Sequence, residues 1–203
     1  KVVHIEGRFD KGELKHIVYF DKHAANFADG LECTEEEVDD YFKSIQQNLR
    51  SSFTCVSNGA TLKNYTMAIA TTGEYTTYWG GVANAITEAT ISINQLSALY
   101  QQELSISFTI YIDNDLFYPD ASTDPFDPTS SSTRTSQAAN AITAEVPLAN
   151  FDVGHVLHQG SGGGVATIGV VCRTTTSKAR GWSGSGNPSG PGWIGLFGHE
   201  VGH

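Results

Sequence analysis

The pentapeptide His199-Glu200-Val201-Gly202-His203 carries the most chemically specific spacing in the sequence. On an α-helix, positions four apart share a face, so both imidazoles can turn a nitrogen toward one ion. Glu200 follows the first imidazole directly, which turns its carboxylate toward the open side of that ion. There it is placed to take a proton from water and deliver it to a leaving amine. Zinc suits this work, because it tolerates a change in coordination number and brings bound water to a pKa of about 7. The bland alternative is an exposed helix end with two unremarkable histidines. His155 and His158 lie on or after a strand at odd spacing, which suits half-buried or loop residues better than ligands. His4, His16 and His23 carry no pattern.

Elements able to hold such a site precede it. Val82, Ile86, Ala89, Ile93, Leu96 and Tyr100 step by four and three, which predicts a long amphipathic helix. Before it, residues 65–70 form a short apolar run of strand length, ended by Thr71-Thr72-Gly73. After it, Ile106, Phe108, Ile110 and Ile112 alternate with smaller polar residues and Tyr111, so residues 105–112 read as a strand. Strand, helix, strand in that order implies a right-handed crossover and a largely parallel sheet. Ser131 or Ser132 can cap a second helix running through Thr143 to about Val146, and residues 151–157 return as a strand. Residues 165–171 are β-branched and continue the extended pattern. Residues 182–192, dense in Gly, Ser and Pro, read as a loop.

Several other chemistries fail on their spacing. Asp113 and Asp115 open a calcium-loop pattern, but Phe117 and Tyr118 fill the next two required positions, so residues 113–128 read as a solvated acidic loop. Residues 160–164 are rich in glycine yet fit neither phosphate-binding glycine pattern, and no helix comes after them to point its N-terminus at an anion. Gly181-Trp182-Ser183-Gly184 is followed by Ser185 where a serine-hydrolase elbow needs glycine. Net charge is −10 with no basic stripe, which excludes a nucleic-acid binder that works by displacing counterions. No apolar run is long enough to span a bilayer.

The first sixty residues differ in composition, holding 7 of the 12 Lys and Arg and 11 of the 22 Asp and Glu. Within them Thr34 and Glu37 form a capping box, and Val38, Tyr41, Phe42, Ile45 and Leu49 come next at helical spacing. Ser57-Asn58-Gly59 closes the segment, which reads as a leading piece separate from the rest of the chain. The chain opens on Lys1, as expected of a piece of something longer. Cys33, Cys55 and Cys172 form no Cys-x-x-Cys pair; they are buried free thiols, or one disulfide plus a cysteine with a partner elsewhere.

The order of elements ending in HEVGH resembles the reprolysin-like (adamalysin-type) branch of the metzincin metallopeptidases, in its bacterial form. The resemblance is carried by YTMAIATTGEYTTYWGG (residues 65–81), FDVGHV (151–156), GGGVATIGVVC (162–172) and FGHEVGH (197–203). It covers roughly residues 62–203, and Gly202 within the histidine motif is the form this family uses. It implies an α+β fold: the upper lobe of a zincin, with a twisted, mostly parallel sheet, a backing helix and an active-site helix at the C-terminal end. His199 and His203 would be zinc ligands and Glu200 the general base. Gly164, Val165, Ala166 and Thr167 would belong to an edge strand, residues 164–170, that pairs with a polypeptide substrate.

The same resemblance implies that residues 61–203 are the N-terminal part of the catalytic domain and residues 1–60 the tail of a propeptide. A propeptide cysteine, Cys33 or Cys55, could cap the zinc, although a bridge between the two is equally admissible. Cys172 matches a family cysteine whose disulfide partner lies beyond the zinc helix. The family signature runs on past His203 to a third histidine and a methionine-containing turn. The 203 residues alone are therefore expected to bind zinc weakly and hydrolyse little. The expected function is a secreted or extracellular zinc endopeptidase, in which metal-activated water attacks a peptide bond with Glu200 as base. A gluzincin is a rival, disfavoured by Gly202 and by the order of strands. A secreted adhesion or carbohydrate-binding module with a chance histidine motif is another, since low charge and abundant Gly, Ser and Thr would serve it equally.

Overall fold

A computed structural model describes residues 3–10, 13–20, 61–127, 133–160 and 163–203. Contacts divide the chain into two units, Lys1–Ser57 and Asn58–His203. In the first, β1 (Val3–Asp10) pairs antiparallel with β2 (Glu13–Phe20), with Val3 opposite Phe20 and Asp10 opposite Glu13. The polar composition of this segment gave no expectation of a hairpin. The helix expected after Thr34, together with Cys33 and Cys55, lies outside the described residues.

In the second unit, β3 (Lys63–Thr71) leads through α1 (Gly73–Tyr78) to the long α2 (Val82–Leu104). The chain returns as β4 (Ile106–Tyr111), passes a loop to α3 (Arg134–Glu145), and continues as β5 (Val153–Gln159), β6 (Gly163–Ala166), β7 (Gly181–Ser185) and α4 (Gly190–Val201). The sheet order is β4-β3-β5-β7-β6. β3 pairs parallel with β4 and with β5, and β5 pairs parallel with β7; β6 alone in this sheet runs antiparallel, against β7.

The helical stripe predicted around residues 82–100 becomes α2, with Ala89, Ile93 and Leu96 fully enclosed and Val82, Ile86 and Tyr100 at its margins. Small residues on the same face, Ala85, Ser92 and Ser97, let the helix lie close to the sheet, and Ser97 Oγ accepts the Phe108 N–H at 3.0 Å. Ser105, in left-handed conformation at φ 56°, ends the helix. Period-two alternation then separates the two sheet faces. On one, His155 meets Phe197 of α4, and Trp193 of α4 donates to Ser92 of α2. On the other, Trp182 lies beside His158 and under Arg134 of α3. The unit is therefore three layers, with α2 and α4 on one face and α3 on the other.

Three local expectations are corrected. Residues 182–192 are not a loop throughout: Gly181–Ser185 is a buried strand, and Gly190 already begins α4. The extended run expected over 165–171 stops at Ala166, after which Gly169 and Cys172 adopt positive φ and Ile168 stands 74% exposed. The acidic loop is not wholly solvated, because Leu116, Phe117 and Phe126 enter the core. It is also tied down: Asp124 Oδ2 accepts the Gly73 N–H at 2.6 Å, which fixes the start of α1. α1 itself, capped by Thr72, was not foreseen.

His155 and His158 are buried rather than half-buried. His155 Nε2 lies 2.9 Å from Ser183 Oγ, and His158 Nδ1 lies 3.0 Å from Thr72 Oγ1. Burial pulls the His155 pKa down to about 3 and moves His158 in the same direction. His155 is therefore neutral in the folded chain across this range and takes up a proton when the chain unfolds, so stability held above the ordinary histidine pKa of about 6.5 is lost as pH falls toward 3. Urea unfolding between pH 7 and pH 4 should show a loss from His155 approaching roughly 1.4 kcal/mol per pH unit. A His155→Gln variant should lose that share of the slope; an unchanged slope would contradict the assignment.

Candidate metal centre

Ser189 is the N-cap position of α4, and a proline stands in its first turn, where the missing N–H costs nothing. Its apolar face is set by Trp193 and Phe197, stacked at 6.0 Å and both buried. The helix is held against α2 by two hydrogen bonds: Trp193 Nε1 donates to Ser92 Oγ at 3.0 Å, and Tyr100 Oη donates to the Gly198 carbonyl at 2.6 Å. Gly202 has a packing reason in this contact, because a Cβ there would stand 3.0 Å from Tyr100 Oη. These contacts fix the last turn, which carries His199 and Glu200 and leads directly to His203.

The histidine motif comes together as its spacing requires. The His199 and His203 rings lie 4.7 Å apart at 84°, and both residues are exposed. One ligand atom from each of His199, Glu200 and His203 can be chosen so that all lie within 4.8 Å of one another. Among the described residues this is the one cluster of three or more His, Cys, Asp or Glu that could hold a metal ion. His203 comes just after the helix C-cap, and its carbonyl accepts the Gly169 N–H at 2.7 Å, tying the end of the motif to the turn after β6.

Glu200 differs from both histidines in being only 6% exposed. Its Oε2 is buried without a hydrogen-bond partner and lies 3.9 Å from His203 Nε2. Burial pushes the carboxyl above its ordinary range, while the neighbouring His203 and His199 rings pull the other way. A buried carboxylate oxygen is costly when nothing satisfies it, so the arrangement suits a cation or a proton delivered beside the two rings. Two imidazoles facing solvent and one orphaned oxygen behind them fit a divalent metal.

Gly164, Val165 and Ala166 lie on β6 at the sheet edge, and Thr167 comes directly after, its N–H donated to the Arg180 carbonyl at 3.1 Å. Antiparallel alternation then directs the backbone N–H and C=O of Gly164 and Ala166 away from β7. His155 and His158 point into opposite sheet faces and do not join the cluster. Cys172 is an exposed free thiol, which excludes the buried-thiol reading for this residue.

The sequence model of metallo-peptidase family M12B, reprolysin-like, matches residues 61–203. The chain belongs to this family. No curated protein matches it. The reprolysin-like chain thus has the α+β, mostly parallel architecture expected of it, with the histidine motif at the C-terminal end of α4. The family is one of metal-dependent peptidases that act on polypeptides. Among the described residues no helix is long and apolar enough to cross a membrane. Sequence reasoning misses Tyr100, whose hydroxyl holds the helix, because its place at the end of an apolar stripe signals only packing.

Proposed function

We propose that this reprolysin-like chain supplies the zinc-binding helix and the substrate edge of a secreted zinc endopeptidase. In this reading residues 61–203 are the first part of the catalytic domain and residues 1–60 the end of a propeptide. The observation that carries it is the convergence of His199, His203 and the buried Glu200 at the end of α4 in a chain of this family. His199 and His203 would be two of the protein donors to zinc. Held there, zinc would act as a Lewis acid toward the peptide carbonyl and make water acidic near neutral pH. Glu200 takes the proton of the attacking water on its unpaired carboxylate oxygen and returns it to the leaving amine. The open backbone groups of Gly164 and Ala166 pair with an extended substrate, and the side chains of Val165 and Thr167 flank it.

An adhesion module lacks support from the family match and would need no metal. Zinc titration of the chain separates the two readings. The chain should take up one zinc weakly, through its two imidazoles, and His199→Ala or His203→Ala should weaken that uptake further by more than about 100-fold, since even groups that only support a ligand cost 10–100-fold. Equal uptake by the wild type and both variants would overturn the assignment.

A further inference from the structure

Glu200 is more buried than either neighbour in its own turn, His199 or Val201. The backbone of the edge strand covers it. A Cβ placed on Gly164 would fall on Glu200 Cγ, Cδ and Oε1, well inside van der Waals contact. Gly164 is not among the glycines with positive φ, so its conformation does not itself demand glycine. Its neighbour shows the contrast: Gly163 has φ +61° and open space where a side chain would go. Gly163 serves the backbone; Gly164 serves Glu200.

We propose that Gly164 is a positioning residue for the general base, its bare backbone setting where the Glu200 carboxylate rests beside His199 and His203. The edge strand then does two things at one residue: it offers open backbone groups outward and fixes the acid beneath. Any side chain at this position drives the carboxylate from its place or lifts β6 from α4. The role in turnover rests on the proposed reading of Glu200 as base; the contact itself does not.

A stability cycle on the chain tests the contact without requiring activity. Gly164→Ala should lower Tm by roughly 5 °C in the wild type, as overpacking does, and by less than about 1 °C in a Glu200→Ala background, where the methyl enters vacated space. A Gly164→Ala chain that fails to fold while the double variant folds gives the same answer. Equal losses in both backgrounds, or two unfolded variants, overturn the proposal. In the full-length peptidase, Gly164→Ala should lower kcat by about 100-fold, the cost of misplacing a catalytic group by about an ångström, with KM changed less than about 3-fold and zinc content unchanged. In a Glu200→Gln background the same change should cost less than about 3-fold, because the base is already gone. Losses that multiply would overturn positioning in favour of a direct role toward substrate. Undiminished turnover in Glu200→Gln alone would overturn the reading of the base, and that variant tells the two failures apart.

Discussion

Glu200→Gln in the full-length peptidase is expected to keep its zinc and lose turnover by about 10²–10⁴-fold, the span contributed by a well-placed general acid–base group. The amide is nearly isosteric, so the contact with Gly164 and the placement of α4 survive. What disappears is a group able to accept a proton beside the two imidazoles. The same change should not lower the thermal midpoint of the metal-free chain. Glu200 is buried with Oε2 unpaired and its carboxyl pushed upward by burial, so a neutral side chain removes a desolvation cost. Zinc analysis, turnover of a quenched peptide and a melting curve on one preparation check all three. Retained turnover would sink the base; lost zinc would mean that the carboxylate is itself a ligand.

Legibility in the sequence divides along physical lines. Elements that bury one regular face announce themselves: the stripe that became α2, and the alternation that became β4, owe their periods to helix and strand geometry. The histidine motif was legible because its geometry is set within one helical turn. β7 was hidden for the opposite reason. Its neighbour β5 carries two buried imidazoles, and β7 makes room for them with glycine: a Cβ on Gly181 would run into His155 Nδ1, and one on Gly184 would sit 3.1 Å from His158 Cδ2. Glycine and serine next to one tryptophan read as a loop, although the strand is buried between β5 and β6. The converse error occurred at residues 167–171, where β-branched residues promised a strand. There the chain leaves the sheet edge after Ala166, and Gly169 is pinned by its N–H to the His203 carbonyl. The meeting of Gly164 with Glu200 joins positions far apart in the sequence, and no local period encodes it.

Trp182 is where this hidden strand can be tested hardest. It is fully buried in β7, opposite Val156 of β5 and Val165 of β6. Its ring meets Phe126 edge-on at 5.6 Å, lies 5.3 Å from His158, and sits beneath the Arg134 guanidinium at 5.6 Å. Trp182→Ala should therefore cost about 3–5 kcal/mol, the usual loss for truncating a large buried aromatic ring. Denaturant unfolding should show the loss as a lower midpoint with little change in slope. Trp182→Phe should cost less than Trp182→Ala, because most of the ring volume stays and the indole N–H, which has no partner, is not missed. Trp182 faces α3, whereas Ser183 and His155 face α4, so the damage falls on the sheet face away from the histidine motif. Zinc uptake by the folded fraction of Trp182→Ala should stay within about 3-fold of wild type, as distant sites without shared partners act independently. A large loss of zinc uptake at full folding would mean that the two faces are coupled through β7, and the layered separation of core and metal centre would have to be abandoned.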